Sequence, residues 1–185
     1  NPLRYTDPLF SIGLPLLFLA MGGIGFPGGS VYVNVERLRG PLWRAAMSAA
    51  GPAMNLACLI AVGLVFRFAN FDNAQPSPLA AALAVLGFLQ ATALLLNLLP
   101  VPGLDGFGIL QAVLPASVRA ALARVSGITV ILFLSVMIMA PQYLQPLWDA
   151  ALALCQALWI GPKPIVAGLG LFRFWDASAD PWSQP

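Results

Sequence analysis

The chain has 185 residues, 59% apolar and 9% charged, with a mean hydropathy of +0.85. A soluble domain carries roughly 25% charged residues, so this much apolar surface does not fit inside one small globule, and the solvent for most of the chain is lipid. A net charge of +2 with no basic stripe gives no footing for nucleic acid as a partner, and the complete absence of histidine removes the usual zinc ligand and general base from the residues at hand.

In chain order, residue 1 is Asn, and no basic segment with a cleavage site precedes the first apolar stretch, so the chain reads as a fragment with its true start upstream. Residues 11–26 are apolar but carry Pro15 and several glycines; they span, re-enter or lie against other helices. Residues 30–35 alternate and are rich in β-branched types, between Gly28-Gly29 and a charged stretch, which predicts a short strand or hairpin. Residues 45–66 run without a charge between Arg44 and Arg67, enough to cross a bilayer at about 20 residues per span. Residues 79–99 predict a second crossing and residues 125–139, slightly extended, a third. Residues 150–160, between Asp149 and Gly161-Pro162-Lys163-Pro164, predict a short final span or an interfacial helix.

Beyond them, Phe172-Arg173-Phe174-Trp175 mixes aromatics with charge as interfacial anchors do, and residues 177–185 are expected to be disordered. Cys58 and Cys155 sit in apolar runs and read as small hydrophobes. The expected fold is an all-α polytopic membrane protein with four or five membrane-embedded helices and a short strand near residues 30–35, forming one domain over residues 1–176. Arg37, Arg39 and Arg44 precede the first crossing and Arg119 and Arg124 follow the second, whereas the loop between holds Arg67 against Asp72. Positive charge marks the cytoplasmic side, so Asp105 lies toward the cytoplasm.

Between Asp72 and Arg119 the single charged residue is Asp105, preceded by Asn97-Leu98-Leu99-Pro100-Val101-Pro102-Gly103-Leu104. A carboxylate at membrane depth costs about 2.5 to 3.5 kcal/mol on insertion scales, so such residues usually have a cationic partner and a function. Pro100 and Pro102 remove two backbone donors, so the helix breaks just before the aspartate, and broken backbone at that depth needs protein or a watery cavity around it. A plainer alternative is that Asp105 caps a helix beginning near Gly106. The other constellation, Ser48-Ala49-Ala50-Gly51-Pro52-Ala53-Met54-Asn55, joins small residues suited to close helix approach with a buried amide, and taken alone reads as helix packing.

Together, A-G-P-x-x-N on one helix and N-x-x-P-x-P-x-L-D-G on the next resemble the site-2 protease family of intramembrane zinc metalloproteases, in its compact bacterial branch. Asn1-Pro2-Leu3-Arg4-Tyr5-Thr6-Asp7-Pro8 is similar to that branch's N-P-L-(K/R)-x-x-D-P segment. Gly22-Gly23 and Val31-Tyr32-Val33-Asn34, with Leu38-Arg39 following, resemble its Gly-Gly turn and edge strand.

The resemblance implies a Zn2+ ion held by two histidines of an H-E-x-x-H helix and by the motif aspartate, here Asp105. The glutamate of that helix would act as general base, and zinc would lower the pKa of its water and polarise the scissile carbonyl. Asn55 and Asn97 would be auxiliary donors to the substrate backbone or oxyanion. Val31, Tyr32 and Val33 would pair with an unwound substrate strand, beside the broken segment at Pro100 and Pro102. The implied partners are a transmembrane protein or peptide substrate and the lipid bilayer, the location a bacterial inner membrane crossed several times.

This sequence departs from the family in having no H-E-x-x-H and no histidine, with Tyr5 where relatives often carry histidine. In the family that helix precedes the octapeptide, so a fragment without it should bind zinc poorly and cleave nothing. Two alternatives remain: a pseudoprotease or scaffold that keeps the groove without metal, and a transporter fragment using Asp105 as a cation site, which would call for inverted repeats that this sequence lacks.

Overall fold

The computed structural model describes residues 40–69, 71–72 and 75–172, which fall in one compact unit beginning at Gly40. The expected strand at residues 30–35, the octapeptide, residues 11–26 and the tail after 172 lie outside the described residues, as does the expected domain end at 176. The described elements are helical: α1 (Pro41–Phe68), α2 (Pro78–Leu98), α3 (Asp105–Leu110), α4 (Ala116–Met139), a 3-10 turn (Pro141–Leu144), α5 (Gln145–Ala157) and α6 (Pro162–Phe172). Among the described residues α1 and α2 are long and apolar enough to cross a membrane, or up to four spans if each bent pair of helices counts as one.

Each boundary has a local cause. α1 starts with Pro41 at its first position, where a missing N–H costs nothing. It continues through Pro52, which is buried; that proline cannot donate to the Ser48 carbonyl one turn back. α2 opens at Ser77, whose hydroxyl accepts from the Ala80 N–H at 3.3 Å, with Pro78 following. In α4 the Thr129 and Ser135 hydroxyls donate to the Val125 and Ile131 carbonyls, both at 2.8 Å, so neither is an unpaired polar group in an apolar helix.

Small residues decide the packing, as expected where lipid competes for apolar side chains. Ala80, Ala84 and Ala91 of α2 are buried at helical spacing, and the core joins them to Leu59, Val62 and Phe66 of α1, Ala151 and Cys155 of α5, and Ile160 and Ile165 around the α5–α6 turn. Gly87 of α2 lies against Leu59 and Val62, and Gly168 of α6 against the Ala81 carbonyl. α5 and α6 turn through 119° to wrap this seam. Cys58 and Cys155 are free thiols.

Three sequence expectations are corrected. The third expected span is part of α4, which begins nine residues earlier because its charged first turns, with Arg119 and Arg124, hide it from hydropathy. α6 was not anticipated, since Pro162 and Pro164 look like breakers, yet they stand in its first turn, where proline is tolerated. Arg44, expected to precede the first helix, is the fourth residue of α1 and half-buried.

Candidate functional site

The segment after α2 is built by its prolines and glycines. Leu99 precedes Pro100 and is held extended, at φ −60 and ψ 138, because a residue before proline avoids the helical region. Val101, Pro102, Gly103 and Leu104 then form a tight turn, the Leu104 N–H donating to the Val101 carbonyl at 2.9 Å. Proline at the second place and a positive φ of 107 at Gly103 in the third match a type II turn. Leu104 stands at the cap position without a side-chain bond and Asp105 is the first residue of α3, so the capping alternative for Asp105 is not what the chain adopts. Gly106 completes the fold-back: a Cβ there would stand 2.5 Å from the Leu99 carbonyl oxygen and collide with that of Leu98, so α3 can start only by lying directly on the end of α2.

This fold-back aims α3 at α1. The Asp105 Oδ2 lies 3.0 Å from where a Cβ on Gly51 would be, and a Cβ on Gly108 would stand 2.8 Å from the Ser48 Cβ and closer still to its hydroxyl. Ser48 and Gly51 are separated by less than one turn, as are Asp105 and Gly108, so two short helical faces meet edge to edge. Arg119 closes the far end, donating to the Gln111 carbonyl at 3.3 Å. At positions four and seven before Ser48 and Gly51 respectively, Arg44 shares their face; its Nε is buried and has no hydrogen-bond partner among the described residues.

Of the expected site residues, Asp105 is half-buried against Gly51, and Asn55 is half-buried one turn further along α1. Asn97 is half-buried in the last turn of α2. Gly87 lies against residues 59 and 62, so Asn97, ten residues on in this antiparallel pair, comes level with residues 49–52, the Gly51 turn. Pro100 is exposed and Pro102 half-buried. The structure thus brings Asp105 and the Gly51 to Asn55 turn together, with Asn97 at the same height. Val31, Tyr32 and Val33 lie outside the described residues. Contacts that sequence reasoning missed are Ser48 with Gly108 and the stacking of Gly106 on the α2 carbonyls; the close-packed glycines of the A-G-P and D-G-x-G runs were their signal.

Asp105 stands beyond the end of α2, outside both spanning helices, and burial pushes its carboxyl above the ordinary carboxylate range. Among the described residues no hydrogen bond or ion pair engages it. A half-buried carboxylate with no such contact among the described residues is suited to receive a cation. It supplies one ligand only: the described residues hold no group of three His, Cys, Asp or Glu side chains able to take a metal, and the sequence has no histidine. A catalytic zinc takes three protein ligands, so the described residues do not by themselves fit a zinc ion.

Comparison with known proteins finds relatives along nearly the whole chain. A protein of Mycolicibacterium smegmatis is 38% identical over 179 residues, covering 96% of this chain and 67% of that protein. One of Mycobacterium tuberculosis is 39% identical over 175 residues, covering 95% of this chain and 66% of that protein. Both carry the name "Putative zinc metalloprotease Rip2". The chain therefore spans about two thirds of the length of these curated relatives. No family model and no solved structure matches it.

Proposed function

This chain belongs to the family of zinc metalloproteases that includes mycobacterial Rip2, and on that premise we propose that it forms the aspartate-bearing part of an intramembrane protease of the site-2 type. The observation that carries the reading is the Asp105 carboxylate, set by a broken helix end against Gly51, one turn from Asn55. Among the described residues no hydrogen bond or ion pair engages that carboxylate, and service as one metal ligand gives it a task. Two further ligands and a general base would come from residues outside this sequence, so the chain alone holds zinc poorly and cleaves nothing.

In this reading each residue of the chain has a bounded task. Asp105 presents a fixed anion. Asn55 and Asn97 offer amide donors at the same height to an extended substrate backbone or to the oxyanion. The turn at Pro100 and Pro102 keeps backbone unwound beside them, where an extended substrate can lie. The substrate is a transmembrane protein or peptide, and the enzyme is a multi-pass protein of a bacterial inner membrane.

The test uses the full-length protein in detergent with a transmembrane peptide substrate. Wild type should carry zinc and cleave; Asp105→Asn, nearly the same shape without the charge, should lose both by about 100-fold or more while its helical spectrum is unchanged. Cleavage at the wild-type rate by that variant would reject the ligand assignment. A folded full-length protein that binds no zinc at all would instead be a metal-free binding module.

A further inference from the structure

The end of α1 remote from the aspartate holds a second polar notch. From Gly51 to Arg67 is sixteen residues of helix, about 24 Å at 1.5 Å per residue, so the two places are separate. Around Arg67 the side chains of Phe66, Phe71, Gln156, Trp159 and Ile160 line a cavity of about 430 Å³. One wall is the Phe66–Phe71 pair, ring centres 5.1 Å apart. The other is Trp159, whose ring centre lies 6.0 Å from the guanidinium carbon of Arg67.

Trp159 is held there against a steric preference. α5 closes with the Ile160 N–H bonded to the Cys155 carbonyl at 3.0 Å and the Trp159 N–H to that of Gln156 at 3.1 Å. Such a closure puts one residue in the left-handed region, a place ordinarily given to glycine. Here Trp159 takes it, at φ 64. Backbone strain that glycine would relieve, retained under a half-exposed indole at a cavity wall, points to a use for the ring.

Depth identifies the ligand class. Between Arg44 and Arg67 lie 22 uncharged residues, about 33 Å of helix, close to the roughly 30 Å of a hydrocarbon core. Arg67 therefore stands at the membrane interface, beside Trp159, a residue type that sits among lipid headgroups. A guanidinium fork matches phosphate oxygens, and the Gln156 amide adds a donor.

The geometry points to a site for the phosphodiester of an anionic phospholipid, its oxygens on Arg67 and Gln156 and its glycerol and upper acyl carbons against Trp159 and the Phe66–Phe71 pair. The full-length protein in detergent, titrated with dioctanoyl phosphatidylglycerol, dioctanoyl phosphatidylcholine or inorganic phosphate and read by native mass spectrometry, tests it. Wild type should retain one phosphatidylglycerol in preference to phosphatidylcholine, and Arg67→Gln should weaken that retention about tenfold, the loss of one charge-assisted contact. Trp159→Gly removes the ring and relieves the left-handed residue, so it should melt at or above the wild-type temperature and still lose the lipid, which separates a lost site from a lost fold. Equal retention of the two lipids, equal retention by wild type and both variants, or displacement of the lipid by millimolar inorganic phosphate would overturn the proposal.

Discussion

The Asp105 carboxylate lies against the bare backbone of Gly51, its Oδ2 3.0 Å from where a side chain on that glycine would begin. Ordinary contact at a Cβ is 3.4–4 Å, so even a methyl group forces the carboxylate to give by a few tenths of an ångström. Alanine is the better helix former by about 1 kcal/mol. Gly51→Ala should therefore leave the melting temperature unchanged or raised, yet lower zinc content and peptide cleavage of the full-length protein by about 10- to 100-fold, since small misplacements at a reacting centre are costly. Thermal melting and cleavage rates measured on one preparation check this. A fully active Gly51→Ala protein would mean that the carboxylate does its work elsewhere.

The second contact of the same two faces is separable from the first. A Cβ on Gly108 would stand 2.8 Å from the Ser48 Cβ, and the hydroxyl is closer, so Gly108→Ala pushes α3 off α1 at a cost of about 1 to 3 kcal/mol. Ser48→Gly removes the obstacle at about 0.5 kcal/mol of helix propensity. The double variant should be more stable than the sum of the singles predicts, with a coupling of about 0.5 to 3 kcal/mol, measured by denaturant unfolding in detergent. Strict additivity would show that the two residues do not meet.

How far the site could be read in advance follows from which signals are local. The break before Asp105 is written in Pro100 and Pro102, and the two spans in unbroken hydropathy, so these agree with the observed α1 and with the end of α2 at Leu98, whereas the type II turn at Gly103 was not anticipated. The partner of Asp105 is a matter of register between two helices more than fifty residues apart, which no local pattern encodes. Sequence placed Asp105 beside the Asn55 groove through its resemblance to a family; Gly51 as the contact emerges only from the fold-back that Gly106 permits. α6 was missed for the opposite reason: Pro162 and Pro164 are strong local signals that read as an end and act as a beginning.

Two glycines of the core make a contrast that the nature of their neighbours decides. A Cβ on Gly63 would sit 2.7 Å from the Leu158 carbonyl oxygen, part of the backbone that ends α5. On Gly87 it would sit at the same 2.7 Å from the Ile160 Cδ1, the tip of a side chain and not backbone, with the Val62 Cγ1 next at 3.3 Å. Gly63→Ala should therefore cost about 1 to 3 kcal/mol and Gly87→Ala less than about 1 kcal/mol, partly offset in both by helix propensity. Comparing the two melting temperatures in one detergent tests the packing of α1 on the α5–α6 turn; a reversed order would place that turn elsewhere.

Asn55 and Asn97 offer a sharper division of labour. Each is half-buried, and no hydrogen bond among the described residues uses either amide, so removing one takes away no folded-state partner. Asn55→Ala and Asn97→Ala should both stay within about 0.5 kcal/mol of wild-type stability. Asn55 stands one turn from Gly51 and Asp105; as an oxyanion donor it should lower kcat of the full-length protein by about 10²- to 10³-fold at nearly constant KM. Asn97 adjoins the unwound turn at Pro100 and Pro102, where an extended substrate would lie, so its loss should raise KM and spare kcat. Steady-state kinetics on the two variants distinguish these roles. A lower melting temperature with intact kcat for Asn55→Ala would return that amide to helix packing.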